Sequence, residues 1–230
     1  MRLPPLFPGT FLRRWQRFFV AARLASGEEV VAHCANPGSM RGCLPPLVPV
    51  LLSRSENPAR KLAFTLELVR VGRTWVGVNT LRTNRVVEEA LHGGHIPELA
   101  GHGSIHPEAP IGGKRRADFL LTGGERPCWV EVKNVTLADG RLARFPDSVT
   151  TRGAAHLDEL AKRARAGDRA VMLYVVNRGD CDRAAPARSI DPAYGRHLDA
   201  ALAAGVEAIA FRARVTRREI TLANRIPFLP

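Results

Sequence analysis

The chain has 230 residues, 45% of them apolar, enough to bury one large core or two small ones. Its 34 lysines and arginines face 22 acids, a formal charge of +12, and that excess predicts attraction to a polyanion, with nucleic acid the first candidate. No run approaches the roughly 18–20 apolar residues that span a bilayer, Met1–Pro5 leads into no signal-peptide core, and the four cysteines show no C-x-x-C spacing, so the expectation is a cytoplasmic protein with no membrane partner, no zinc site and no disulfide framework.

Residues 1–80 read as β-rich. Phe11–Val20 interleaves aromatic rings with arginines and is taken as one strand, followed by strands at Glu28–His33, Val48–Ser53, Lys61–Val71 and Thr74–Asn79. Short strands at this density predict a small barrel or a curled sheet. Arg13, Arg14 and Arg17, set among Trp15, Phe18 and Phe19, are what a single-stranded nucleic acid surface needs, because rings stack on bases and guanidinium groups meet phosphates. The alternative packs the rings inside the barrel and leaves the arginines as its solvated face. Between two of the strands, Asn36-Pro37-Gly38 marks a tight turn whose glycine admits close approach of a backbone or a phosphate.

Thr80–Arg85 joins this domain to a second one, 81–230. Asn84 is read as the N-cap of a short helix over Val86–Leu91 that carries Glu89. Residues 92–114 read as a flexible loop over a site. Its His92, His95, His102 and His106 lie among glycines, which favours loop residues over a zinc site. Lys114, Arg115 and Arg116 follow as a phosphate clamp.

The next stretch carries the chemistry. Arg115–Leu121 and Pro127–Lys133 are two apolar runs about the turn Thr122-Gly123-Gly124, and each holds a carboxylate where a core strand normally holds an aliphatic residue. Strand alternation puts Trp129, Glu131 and Lys133 on one face and Val130 and Val132 on the other. Buried charges are costly unless paired or metal-bound. Asp118, with Glu131 and Lys133 on the neighbouring strand, suits a magnesium or manganese ion beside an amine that orients water or offsets phosphate charge. A Glu–Lys pair on an edge strand is the plainer alternative. The arrangement resembles the PD-(D/E)xK nuclease superfamily, with Ala117 where proline is expected. In nucleases of that fold a first-helix glutamate often completes the metal site. The resemblance therefore implies Asp118, Glu131 and Glu89 as metal ligands and those three with Lys133 as the catalytic set.

Beyond a linker at Ala138-Asp139-Gly140, Asp147 or Ser148 caps a helix running to about Ala166, with an apolar stripe of Leu157, Leu160, Ala161 and Ala164. Arg152 and His156 lie four apart on it, a cation and a titratable ring suited to a phosphate contact. A strand at Arg169–Val176, a helix at Ala193–Ala204 opened by Asp191-Pro192 and closed by Gly205, and strands at Val206–Val215 and Glu219–Ala223 predict a mixed α/β domain.

Several motifs in order, from Arg14-Trp15-Gln16-Arg17-Phe18 and His33–Met40 through Asn84-Arg85 with Glu89, Asp118-Phe119, Val130–Leu137 and Phe145–Gly153 with His156-Leu157, make nearly the whole chain similar to the sugar fermentation stimulation protein family. That resemblance implies an α+β protein: an N-terminal OB-like β-barrel and a C-terminal PD-(D/E)xK nuclease-like α/β domain. It also implies DNA binding and a link to expression of sugar-utilisation genes. The resulting expectation is a DNA-binding, magnesium- or manganese-dependent nuclease. A non-catalytic regulator and an RNA-binding or RNA-processing protein remain open. So do single- versus double-stranded DNA and a homodimer.

Overall fold

The computed structural model describes residues 1–113 and 115–230. The first domain is built from β1 (Leu6–Trp15), β2 (Phe19–Leu24), β3 (Glu29–His33), β4 (Pro49–Arg54), β5 (Phe64–Val71) and β6 (Thr74–Gly77), in the order β3-β2-β1-β4-β5-β6. A short parallel pairing of β3 with β5, through Ala32 and Phe64, closes the first five strands into a barrel. Val20, Ala22, Ala32, Leu52 and Leu66 fill it and are fully buried.

The single strand expected over Phe11–Val20 is a hairpin. Gln16 and Arg17 take positive φ values of 45° and 62°, and Trp15 pairs with Phe19. The turn is hidden in the sequence because aromatics stand on both sides of it. Trp15 and Phe19 stack at 5.6 Å across the hairpin.

The second domain holds a mixed sheet ordered β15-β14-β12-β9-β8-β7, from β7 (Ser104–Gly112), β8 (Arg115–Thr122), β9 (Cys128–Val135), β12 (Arg169–Val176), β14 (Glu207–Val215) and β15 (Ile220–Ile226). The central strands β9, β12 and β14 are parallel and the outer ones antiparallel. A three-stranded sheet, β10 (Leu137–Asp139), β11 (Leu142–Phe145) and β13 (Arg183–Pro186), lies beside it. The central strands β9 and β12 are buried on both faces, so they read as nearly continuous apolar runs. Val130, Val132, Leu173 and Val175 pack under α1 (Thr83–His92). Trp129, Met172 and Tyr174 pack under α2 (Thr151–Arg165) and α3 (Pro192–Ala203).

Four local expectations change. Residues 92–114 are not one loop, since β7 pairs with β8 along most of its length. Pro107 and Pro110 disguise that strand, and they fit because β7 is the sheet edge, where a missing N–H has no neighbour to disappoint. Ala138-Asp139-Gly140 is no linker but the end of β10 and its turn into β11, with Gly140 at φ 58°. Helix α2 is capped by Thr150, whose hydroxyl accepts the Gly153 N–H at 3.0 Å, rather than by Asp147 or Ser148. Helix α1 starts at Thr83, so Asn84 lies inside it and does not cap it. The start of α3 is as expected, with Asp191 accepting the Tyr194 N–H.

The two domains are knit together. Leu51 and Leu68 of the barrel join the core under α1, and the Gly77 N–H donates to the Asn177 carbonyl at 2.8 Å.

Candidate active site

The β8–β9 ladder runs from Leu121 opposite Cys128 to Phe119 opposite Val130. Where it ends, the Asp118 side chain takes over: Oδ2 accepts the Val132 N–H at 2.7 Å and Oδ1 accepts the Asn84 amide at 2.7 Å. A carboxylate thus satisfies a strand donor that the ladder leaves free. One strand over, Glu131 is 4% exposed. Its Oε1 receives Lys133 Nζ at 2.5 Å and also contacts His156 Nδ1. The other His156 nitrogen, Nε2, accepts from Arg152 Nε at 3.3 Å, which assigns the ring proton to Nδ1, facing Glu131. Arg152, His156, Glu131 and Lys133 form one hydrogen-bonded chain, with Asp118 beside it.

Burial and the neighbouring Glu131 charge push the Asp118 carboxyl up, against the opposing pull of the Val132 N–H, Lys133 and Asn84. Burial would do the same to Glu131, but the Lys133 charge and the His156 bond outweigh it and hold that carboxyl below its usual range. The surroundings thus push the two carboxyls in opposite directions.

The remaining sequence candidates are dispersed. Glu89 is half-exposed and does not join the two acids: its Oε2 lies 2.7 Å from the Met1 ammonium and its Oε1 3.5 Å from Arg85. Five residues along a helix is a turn of about 140°, so α1 can present Asn84 to Asp118 or Glu89, and it presents Asn84. Among the described residues no group of three His, Cys, Asp or Glu is placed to hold a metal. Arg14 is committed to main-chain carbonyls of Arg17, Asn36, Gly38 and Ser39, which makes it the support of the Asn36–Ser39 loop. Exposed Arg13 stands 4.9 Å over the Trp15 ring. With Arg17 and Trp15 it lines a cavity of about 640 Å³ that Ser148 of the second domain also borders. Arg115 pairs with Glu159 at 3.1 Å and Arg116 donates to the Glu108 carbonyl, while Lys114 lies outside the described residues.

Two arrangements escaped the sequence reading. Glu67, 1% exposed, takes Arg82 through both oxygens, Ser53 at 2.7 Å and Asn79 at 2.8 Å. The signal was present, since Phe64-Thr65-Leu66-Glu67-Leu68-Val69 is an acid within an apolar strand, as Glu131 is. Thr83, Asn134 and Asn177 form a second buried polar cluster between α1 and the ends of β9 and β12; no local pattern marks it, because its members come from three elements.

A closed OB barrel followed by a mixed-sheet domain with paired strand carboxylates defines a two-domain protein of the α+β class. The chain belongs to the sugar fermentation stimulation protein family: the model for its N-terminal OB domain matches residues 12–78, and that for the sugar fermentation stimulation protein RE domain matches residues 81–219. It is 54% identical to the sugar fermentation stimulation protein homolog of Geobacter metallireducens, over 100% of both chains. The homolog of Geobacter sulfurreducens is 53% identical, over 100% of this chain and 99% of that one. Among solved structures, Pyrococcus furiosus SfsA in complex with Ca2+ superposes with a TM-score of 0.92 at 27% identity, covering 100% of this chain and 98% of that one. No helix among the described residues is long and apolar enough to cross a membrane.

Proposed function

We propose that the chain binds DNA and hydrolyses its phosphodiester bonds with a divalent metal, magnesium or manganese. The observation that carries this reading is the buried Glu131, which holds Lys133 and His156 while Asp118 sits on the adjacent strand. The donor set fits a hard cation. Asp118 and Glu131 supply buried carboxylate oxygens, Glu131 places both its contacts on Oε1, and the Glu131 charge raises the cost of ionising Asp118, which a shared cation would offset. Magnesium is commonly held by one or two carboxylates with substrate phosphate and water completing its shell, so the absence of a third acid is no obstacle. A metal there would supply hydroxide from bound water and offset phosphate charge. The solved relative's complex with Ca2+ supports a divalent cation in the family.

The chain's own residues divide the remaining work. Lys133 places an ammonium at the carboxylate, where it orients water and offsets charge on a phosphate oxygen. His156, fixed by Arg152, holds Glu131 in one orientation. Arg152 extends positive charge outward from the site. The net charge of +12 and the Arg13, Trp15 and Arg17 cavity supply the polymer contact.

The test is cleavage of labelled single- and double-stranded DNA with magnesium or manganese, alongside EDTA, Glu131→Ala and Lys133→Ala, with RNA as competitor at matched salt. Metal-dependent cutting, reduced about 100-fold or more in both variants, supports the reading. Binding without cutting, unchanged by Lys133→Ala, would leave a non-catalytic DNA-binding protein. Preference for RNA would remove DNA as the partner.

A further inference from the structure

Two exposed arginines, Arg70 and Arg217, stand over the Trp75 ring at the seam between the domains, and exposed Arg2, Arg73 and Arg218 lie on the adjoining backbone segments. The β5–β6 hairpin brings Arg70 opposite Trp75 and carries Arg73 in its two-residue turn. The β14–β15 connection brings Arg217 and Arg218. That connection is fixed by Thr216, whose hydroxyl oxygen accepts the Arg218 and Glu219 N–H groups at 3.2 and 3.0 Å. Arg2 is held alongside, because it bridges to Glu219 and Leu3 donates to the Arg218 carbonyl. Two guanidinium groups share the Trp75 ring, Arg70 at 6.0 Å and Arg217 at 5.7 Å from its centre, one from each domain.

None of the five forms an ion pair among the described residues, whereas Arg82, Arg115, Arg169 and Arg178 each do. Like charges fixed together with no acid between them repel, so the patch attracts an external polyanion. Its all-arginine composition favours phosphate, which the planar guanidinium fork grips in two places. A ring flanked by cations adds a stacking surface. The patch is also separate from the acids. Trp75 packs on the core under α1 and Glu131 faces α2, while Asp118, which meets Asn84 of α1, is set apart by strand order: β14 is two strands from β9 and three from β8, roughly 10 and 15 Å across the sheet.

We propose that the Trp75 arginine patch is a second backbone-binding surface for nucleic acid, holding polymer outside the acid site. The inference rests on the nucleic acid reading above and adds to it that affinity grows with polymer length. Anisotropy titrations of the full chain would use labelled DNA of about 8 nucleotides, within one OB site, and of several times that length. They would compare wild type with Arg70→Ala/Arg73→Ala/Arg217→Ala/Arg218→Ala, with unfolding temperature as the folding control and the two paired double variants as substitutes should the quadruple variant melt early.

The expected result is a loss of about 10- to 100-fold in affinity for long DNA, a salt slope smaller by about 3, and unchanged binding of the short strand. Equal affinity and slope for long DNA in wild type and variant would overturn the patch while leaving DNA binding intact. Wild type that binds neither length would overturn the nucleic acid reading and the patch with it. Loss of binding to phosphatidylserine vesicles with DNA binding unchanged would reassign the patch to a membrane surface.

Discussion

Asp147 reaches across the domain seam to Met40: its Oδ2 accepts the Met40 N–H at 2.8 Å, and its main-chain carbonyl accepts the Ser39 hydroxyl at 2.6 Å. Gly38 makes this approach possible, since a Cβ there would stand 2.4 Å from Asp147 Oδ1. Three residues on, Thr150 caps α2, the helix that delivers His156 to Glu131. The barrel loop held by Arg14 and the helix over the acids are therefore one mechanical unit.

Asp147→Ala leaves the Met40 N–H without its acceptor and is expected to cost about 1–3 kcal/mol, seen as a fall of several degrees in Tm. Gly38→Ala should act in the same direction through the displaced carboxylate. A Gly38→Ala protein that melts with wild type would show that the contact has slack.

Asn84 is expected to matter to the acids as no helix cap would. On the proposed reading, Asn84→Ala removes the Oδ1 donor that aims Asp118 and lowers metal-dependent cleavage about 10- to 100-fold. DNA affinity should stay within about twofold, because Asn84 lies outside the basic patches. A variant with wild-type cleavage would reduce Asn84 to helix packing.

Glu67 is buried with its charge, and Arg82 answers it. Removing one partner of such a pair strands the other, so Glu67→Ala should destabilise by about 3 kcal/mol in urea titrations, at the low end for buried pairs because Arg82 is partly solvated. Glu67→Leu/Arg82→Met should recover much of that loss. A double variant no better than the single one would show that Ser53 and Asn79, not the charge, dominate the site.

Alkaline pH should reveal the tyrosine pair that joins β12 to α3. Tyr174 and Tyr194 share a 2.7 Å hydrogen bond between their hydroxyls, and burial pushes both phenols upward. The unfolded chain ionises them near pH 10 and the folded one does so later. Their contribution is therefore whole below about pH 10 and drains as pH rises, by about 1.4 kcal/mol per unit for each tyrosine. Unfolding midpoints measured from pH 9 to 11 should fall more shallowly in Tyr174→Phe/Tyr194→Phe than in wild type; parallel curves would assign the loss to other groups.

The sequence carried the outline of the site well because its signal is local. Asp118, Glu131 and Lys133 interrupt apolar runs about a turn, and alternation alone places Glu131 and Lys133 on the face of Trp129. The start and close of α3 were equally legible in Asp191 and Gly205. Asn84 was misread because capping propensity and a tertiary partner favour the same side chain, and only the folded helix decides between them. The expected third acid failed for a geometric reason: helix phase separates Glu89 from Asn84, and sequence spacing does not say which face meets β8. Strand β7 was obscured by prolines that an edge position tolerates.

The carboxylates of the site stand on β8 and β9, while their partners Arg152 and Asn84 are carried by the first turns of α2 and α1, and buried His156 by the second turn of α2. Buried strands open last, and helix ends fray first. In the language of amide exchange, this arrangement predicts slow exchange at Glu131 and at His156, and faster exchange at the helix starts that carry Arg152 and Asn84.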